Sequence, residues 1–116
     1  MALTTSPRRV ALIASAAAAV LAVTAAPAAA HYTYAYQGDD LGSISSSHLQ
    51  ATACDQENDN RAVYVQVITS SGSRDTVWDY YGGGCTTGNL ISPAVNFRVC
   101  EQIANAADAC TSWRDA

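Results

Sequence analysis

Residues 95–113 read VNFRVCEQIANAADACTSW, and this stretch decides the fold class. Val95, Phe97 and Val99 alternate with Asn96, Arg98 and Cys100, the period of two by which a strand buries one face and wets the other. Ile103 leads into Asn105, Ala106, Ala107 and Asp108, small and polar residues suited to a turn. Residues 110–113 then form the return arm of a hairpin. With the turn centred near Asn105, Cys100 and Cys110 stand opposite each other, where facing side chains come close. A Cys100–Cys110 cross-strand disulfide is the natural expectation, and closing so short a loop contributes ~3 kcal/mol in the chain-entropy treatment. Cys54 and Cys85 are left for a second bridge, worth ~3.5–4 kcal/mol on the same treatment. Cysteine count alone leaves other connectivities open.

Upstream, Arg8 and Arg9 precede an apolar, alanine-rich run that ends at Pro27, and Ala28, Ala29 and Ala30 supply a small-residue cleavage site. Residues 1–30 are therefore expected to be a cleaved secretory signal peptide rather than a membrane anchor, since the run is short for a bilayer span. Residues 31–116 form a single disulfide-stabilised β domain, expected to be secreted. This part holds all 10 acidic residues against Arg61, Arg74, Arg98 and Arg114, and the chain has no lysine. Such a balance argues against nucleic acid, which is gripped by clustered Lys and Arg, and against anionic membrane surfaces. Zinc is disfavoured because no CxxC spacing occurs and an oxidising compartment favours disulfides.

Along the domain, HYTYAY (residues 31–36) places Tyr32, Tyr34 and Tyr36 on one face of an edge or first strand. Residues 37–47 (QGDDLGSISSS) are rich in turn formers, and residues 48–54 resume alternation through Leu49, Ala51 and Ala53. AVYVQVI (residues 62–68) is the best central strand, SSGS a hairpin turn, and VWDYY the returning strand. The glycines at 82–84 lack a following helix and a GK[ST] motif, so a bend is expected rather than a phosphate cradle. Residues 86–93 (TTGNLISP) read as an irregular loop in which Leu90 and Ile91 are either binding residues or satellite core contacts. The expected architecture is all-β, a small antiparallel sandwich or barrel of five to six strands stapled by two disulfides.

ACDQENDNRAVY, VWDYYGGGC, FRVCEQ and ACTSW resemble segments of the small secreted two-disulfide β-proteins of actinomycetes. The resemblance spans most of residues 31–116 and rests on cysteines, strand residues and turns. It implies a β-rich fold with two disulfides and carries no catalytic residue to transfer.

Chemistry is sparse. The acidic run at residues 55–60 (DQENDN) suggests calcium, but Asn60 stands where an EF-hand loop needs glycine and Gln66 where it needs a bidentate Glu. An Asx-rich turn is the simpler reading, so no metal and no cofactor are expected. Ser45, Ser46 and Ser47 precede His48 without a nucleophile elbow, and no enzyme activity is expected. Three roles remain. The first is a non-enzymatic binding or structural module for an extracellular protein or cell-wall component, using Tyr32, Tyr34, Tyr36, Leu90 and Ile91. The second is a hydrolase inhibitor presenting residues 86–93. Two-disulfide β-sandwich amylase inhibitors are of similar size, but their Trp-Arg-Tyr signature is missing here, since Asp115 follows Trp113 and Arg114. The third is Cu(II) chelation by a freed His31 amine and imidazole with His48.

Overall fold

The computed structural model describes residues 31–80 and 82–116; the signal-peptide reading of residues 1–30 lies outside them. Among the described residues nine strands follow one another with no helix between. β1 (Thr33–Gln37), β2 (Asp40–Ile44), β3 (Gln50–Asp55) and β6 (Gly84–Asn89) form one antiparallel sheet in the order β1-β2-β3-β6. β5 (Arg74–Asp79), β4 (Val63–Thr69) and β7 (Ala94–Glu101) form the other, with the two-residue strands β8 (Ala109–Cys110) and β9 (Arg114–Asp115) both pairing β7. The fold is thus an all-β sandwich.

β4 lies between β5 and β7, as its valines demand. Val63, Val65 and Val67 are fully buried, and across the register Val99 and Phe97 face Val65 and Val67. The facing sheet contributes small residues to the same core, Ala35, Ala51 and Ala53. Gly42 carries this furthest: a Cβ there would fall 2.7 Å from Val65 Cγ2 and closer still to Val99 Cγ2. Large side chains from one sheet therefore fill the space that small ones leave on the other.

Both expected disulfides are present, Cys54–Cys85 and Cys100–Cys110. Each joins residues directly opposite in register, with Cα atoms 4.1 and 4.0 Å apart. Both bridges use the strand parity opposite to the core residues Ala53 and Val99, so they sit on the outer faces of the two sheets.

Several local expectations change. Residues 37–47 contain a full strand, β2, with a tight turn at Gly38 (φ 58°) before it. Cys85 lies within β6, and residues 86–89, expected as loop, continue that strand. These two additions, with β9, raise the strand count above five to six. Alternation puts Val95 inside with Phe97 and Val99, yet it is 46% exposed, because the register shifts between Ile68 and Thr69 and Ala94 takes the buried position. The turn at Asn105 is present, with φ 58°, while the return arm is shorter than residues 110–113 and Trp113 lies outside any strand. No helix among the described residues is long and apolar enough to cross a membrane.

The close approach at Gly42 is testable. Gly42→Ala is expected to destabilise the domain by about 1–3 kcal/mol through overpacking. Gly84→Ala, where nothing lies within 4 Å of the added Cβ, is expected to change little. Urea unfolding of the two variants beside the parent checks the contrast.

Candidate functional site

Three groupings of chemistry-bearing side chains emerge, one at each end of the sandwich and one along its edge. The first is acidic. In β2 the inward parity runs Asp40, Gly42, Ile44; in β3 it ends at Asp55; in β7 it ends at Glu101. The valine core thus gives way at one end to a layer of inward carboxylates. Asp40 is fully buried, and Asp55, Asp79 and Glu101 are 2%, 3% and 6% exposed.

Two of these acids have structural work. Asp79 Oδ2 accepts the Asp55 N–H at 2.9 Å, and its Oδ1 accepts the Thr86 hydroxyl at 3.2 Å. Asp40 Oδ1 accepts the backbone N–H groups of Gln56 and Glu57 at 2.8 and 3.2 Å, curling the loop after β3 back over β2. That curl brings Glu57 to Asp40 and Glu101, so that one carboxylate oxygen from each lies within 4.8 Å of the others. Asp40 Oδ2 and Asp55 Oδ1 are buried without a hydrogen-bond partner. Arg61 reaches Glu101 Oε1 at 3.8 Å from a half-exposed position.

Crowding of like charges governs the protonation here. The Glu101 carboxyl is pushed up to about 7, first by the neighbouring Asp59 carboxyl and then by burial. Asp59 is correspondingly lowered, chiefly by its interaction with the Glu101 carboxyl. Asp55 is raised by burial and by the charge of Asp40. Glu57 is raised by partial loss of solvent and by the neighbouring Asp40 carboxyl.

The second grouping is the row of tyrosines. Tyr32, Tyr34 and Tyr36 are 55%, 52% and 58% exposed. Neighbouring rings lie 6.1 and 5.9 Å apart at interplanar angles of 33° and 80°. β1 ends its sheet, so the row stands at the rim of the sandwich. Arg114 of β9, from the other sheet, lines a shallow depression with Tyr32, Thr33 and Tyr34.

The third lies at the end opposite the acids, where β2 turns into β3. His48 occupies the left-handed region with φ 61°, held by its N–H to Ser45 O at 2.9 Å and by Ala94 N–H to His48 O at 2.8 Å. Its Nδ1 lies 3.3 Å from Ala94 O; a carbonyl only accepts, so Nδ1 is the donor and Nε2 keeps its lone pair in the neutral ring. The His31 ring meets His48 edge-on, with centroids 5.1 Å apart.

The remaining sequence-derived candidates divide. Ile91 is 95% exposed, but Leu90 is 7% exposed and belongs to the core, so Leu90 leaves the binding surface. Residues 86–89 are held in β6, which removes most of the loop offered for inhibition. The acidic grouping was missed because its ligand types come from three separated segments. One signal was available: Glu101 shares the parity of Phe97 and Val99 and so had to point inward.

Comparison with known proteins returns no matching family model, no matching curated protein and no matching solved structure.

The β7–β8 loop walls a groove between Asp59, Asn60 and Arg61 on one side and Gln102, Ile103, Ala104 and Asn105 on the other. It is pinned by the Tyr64 hydroxyl, which donates to Asp108 Oδ2 at 2.5 Å. Burial and this bond push the Tyr64 phenol up to about 12. The folded chain then keeps a proton that the unfolded chain releases from about pH 10. This contribution is therefore complete below pH ~10 and is lost as pH rises through the folded value. In the parent, stability is expected to fall between about pH 10 and 12. Tyr64→Phe is expected to cost about 1 kcal/mol at neutral pH and to lose that alkaline slope, read by denaturant unfolding across the pH series.

Proposed function

We propose that the chain is a non-catalytic binding module of the cell exterior that takes an extended segment of a protein partner along the edge of β1. The observation that carries this reading is the tyrosine row, three rings each more than half exposed on a strand that ends its sheet. An edge strand offers backbone N–H and C=O groups to a further strand. Tyrosine adds large amphipathic contact area at low entropic cost and is enriched among residues that dominate binding energy. The steep angle between the Tyr34 and Tyr36 rings favours the varied relief of a peptide over a flat sugar chain. Arg114 beside Tyr32 and Tyr34 favours a segment bearing a carboxylate. Two disulfides in so small a domain support an oxidising, extracellular setting. A secreted hydrolase is one partner class this surface would serve, which keeps the inhibitor alternative within the same reading.

The test uses the disulfide-bonded protein with extended peptides selected against it. Bound peptide is expected to protect the backbone amides of Thr33–Gln37 from hydrogen exchange, and Tyr34→Ala to weaken binding at least tenfold. Retention on insoluble cell-wall polysaccharide, with no added protection in β1, would sink the proposal.

A second reading, Cu(II) binding, is favoured by the contact of the His31 and His48 rings. Export with cleavage before His31 would free an α-amine beside an imidazole, and His48 Nε2 adds a nitrogen of the kind Cu(II) prefers. The Nδ1 contact to Ala94 O orients the ring as metal-binding imidazoles require. One Cu(II) per mature chain is expected by electron paramagnetic resonance, weakened at least tenfold by His48→Ala. An intact mass showing cleavage elsewhere, or unchanged uptake in that variant, would refute it.

A further inference from the structure

We propose that Asp40, Glu57 and Glu101 form a site for one hard divalent cation of the calcium type, at the acidic end of the sandwich. The argument begins with what the fold leaves unfinished. Burying a carboxylate oxygen without a donor is costly, yet Asp40 is fully buried and its Oδ2 has no hydrogen-bond partner. Asp55 Oδ1, also buried, has none either. Asp40 Oδ1, by contrast, is doubly satisfied by the Gln56 and Glu57 N–H groups. One half of this carboxylate is used to build the loop, and the other half is left unpaired among acids.

Geometry then selects the ligand. Oxygens bound to one calcium ion at about 2.3–2.6 Å lie no more than about 5 Å from each other. The oxygens from Asp40, Glu57 and Glu101 all lie within 4.8 Å of one another, inside that limit. An all-carboxylate set suits calcium, magnesium or manganese and not copper or zinc. The three acids come from β2, the loop after β3 and the end of β7, so that they span both sheets and no contiguous loop motif is needed. Calcium tolerates such irregular sets, completing its shell with backbone carbonyls and water, whereas magnesium demands near-octahedral ligands. Arg61, at 3.8 Å from Glu101, supplies a single, half-exposed positive charge to a group of several acids. A divalent ion would turn their mutual repulsion into shared attraction.

This site is separate from the tyrosine row and stands or falls independently of the peptide-binding proposal. Thermal unfolding and calorimetric titration of the intact disulfide-bonded protein test it, with calcium chloride against chelator and magnesium as comparison. Calcium is expected to bind one per chain, to raise the melting temperature saturably, and to do so at lower concentration than magnesium. Asp40→Asn retains an oxygen for the Gln56 and Glu57 N–H groups, and Glu101→Gln retains the side-chain shape. Both are expected to weaken calcium binding at least tenfold. In chelator, each is also expected to melt at or above the parent temperature, because repulsion is relieved while the loop is kept. Absence of any calcium response at millimolar concentration would overturn the proposal, as would an unchanged response in Asp40→Asn and Glu101→Gln. Should both variants fail to fold, calcium protection of the Gln56 and Glu57 amides from hydrogen exchange in the parent decides the matter, and no protection overturns it.

Discussion

The structure depends on how closely the two sheets approach each other. Sheet packing is set by side-chain size across the gap, and here the partition is lopsided. The β4–β5–β7 face carries Val63, Val65, Val67, Val77, Phe97 and Val99, while the other face sets Ala35, Gly42, Ala51, Ala53 and Gly88 around the larger Ile44. Gly42 lies against Val65 and Val99, and Gly88 against Val77, with a Cβ there only 2.7 Å from the valine methyl. A domain this small buries little apolar surface, so it cannot spare voids. Large residues on one side against mostly small ones on the other achieve dense filling with few side chains.

That same closeness shapes the two ends. Where the valines stop, the inward parity does not, and the next positions on β2, β3, β5 and β7 are Asp40, Asp55, Asp79 and Glu101. Acids on several strands are drawn together because the sheets are already close. Some are consumed in tying loops, as Asp79 ties Asp55 and Thr86. The basic residues gather elsewhere: Arg74 and Arg98 both lie over the Trp113 ring, at 5.4 and 4.8 Å from its centroid. Among the described residues, Arg61 is the arginine that reaches the acidic end, through Glu101.

How much of this could be read beforehand follows from the same partition. β4 and β7 were legible because valines and Phe97 alternate with polar residues, and the Cys100–Cys110 pair followed from the turn at Asn105. β2 was not, because its inward residues are Asp40, Gly42 and Ile44; where the opposite sheet supplies the bulk, a strand need not look hydrophobic. β6 is fainter still, a rim strand of Gly, Cys, Thr and Asn whose inward Gly88 merely makes room for Val77. The tyrosine row was legible by alternation, since outward parity on a rim strand needs no partner. The pairing of His31 with His48 was not, because it depends on a hairpin return whose length the pattern left open.

Both sulfur bridges run within a sheet, on its outer face, and neither spans the gap between sheets. They act as hems: one fastens β6 to β3, the other fastens the chain after β7 back onto it. Reduction would remove the ~3 and ~3.5–4 kcal/mol that they contribute, a large share of the stability of so small a domain. β1 carries no cysteine and hangs on β2 by backbone pairing and packing, whereas β9, whose Arg114 lies beside Tyr32 and Tyr34, follows directly on the bridged β8. The Cys100–Cys110 hem thus bears on the aromatic edge through β9, while the Cys54–Cys85 hem lies at the opposite margin of the tyrosine-bearing sheet.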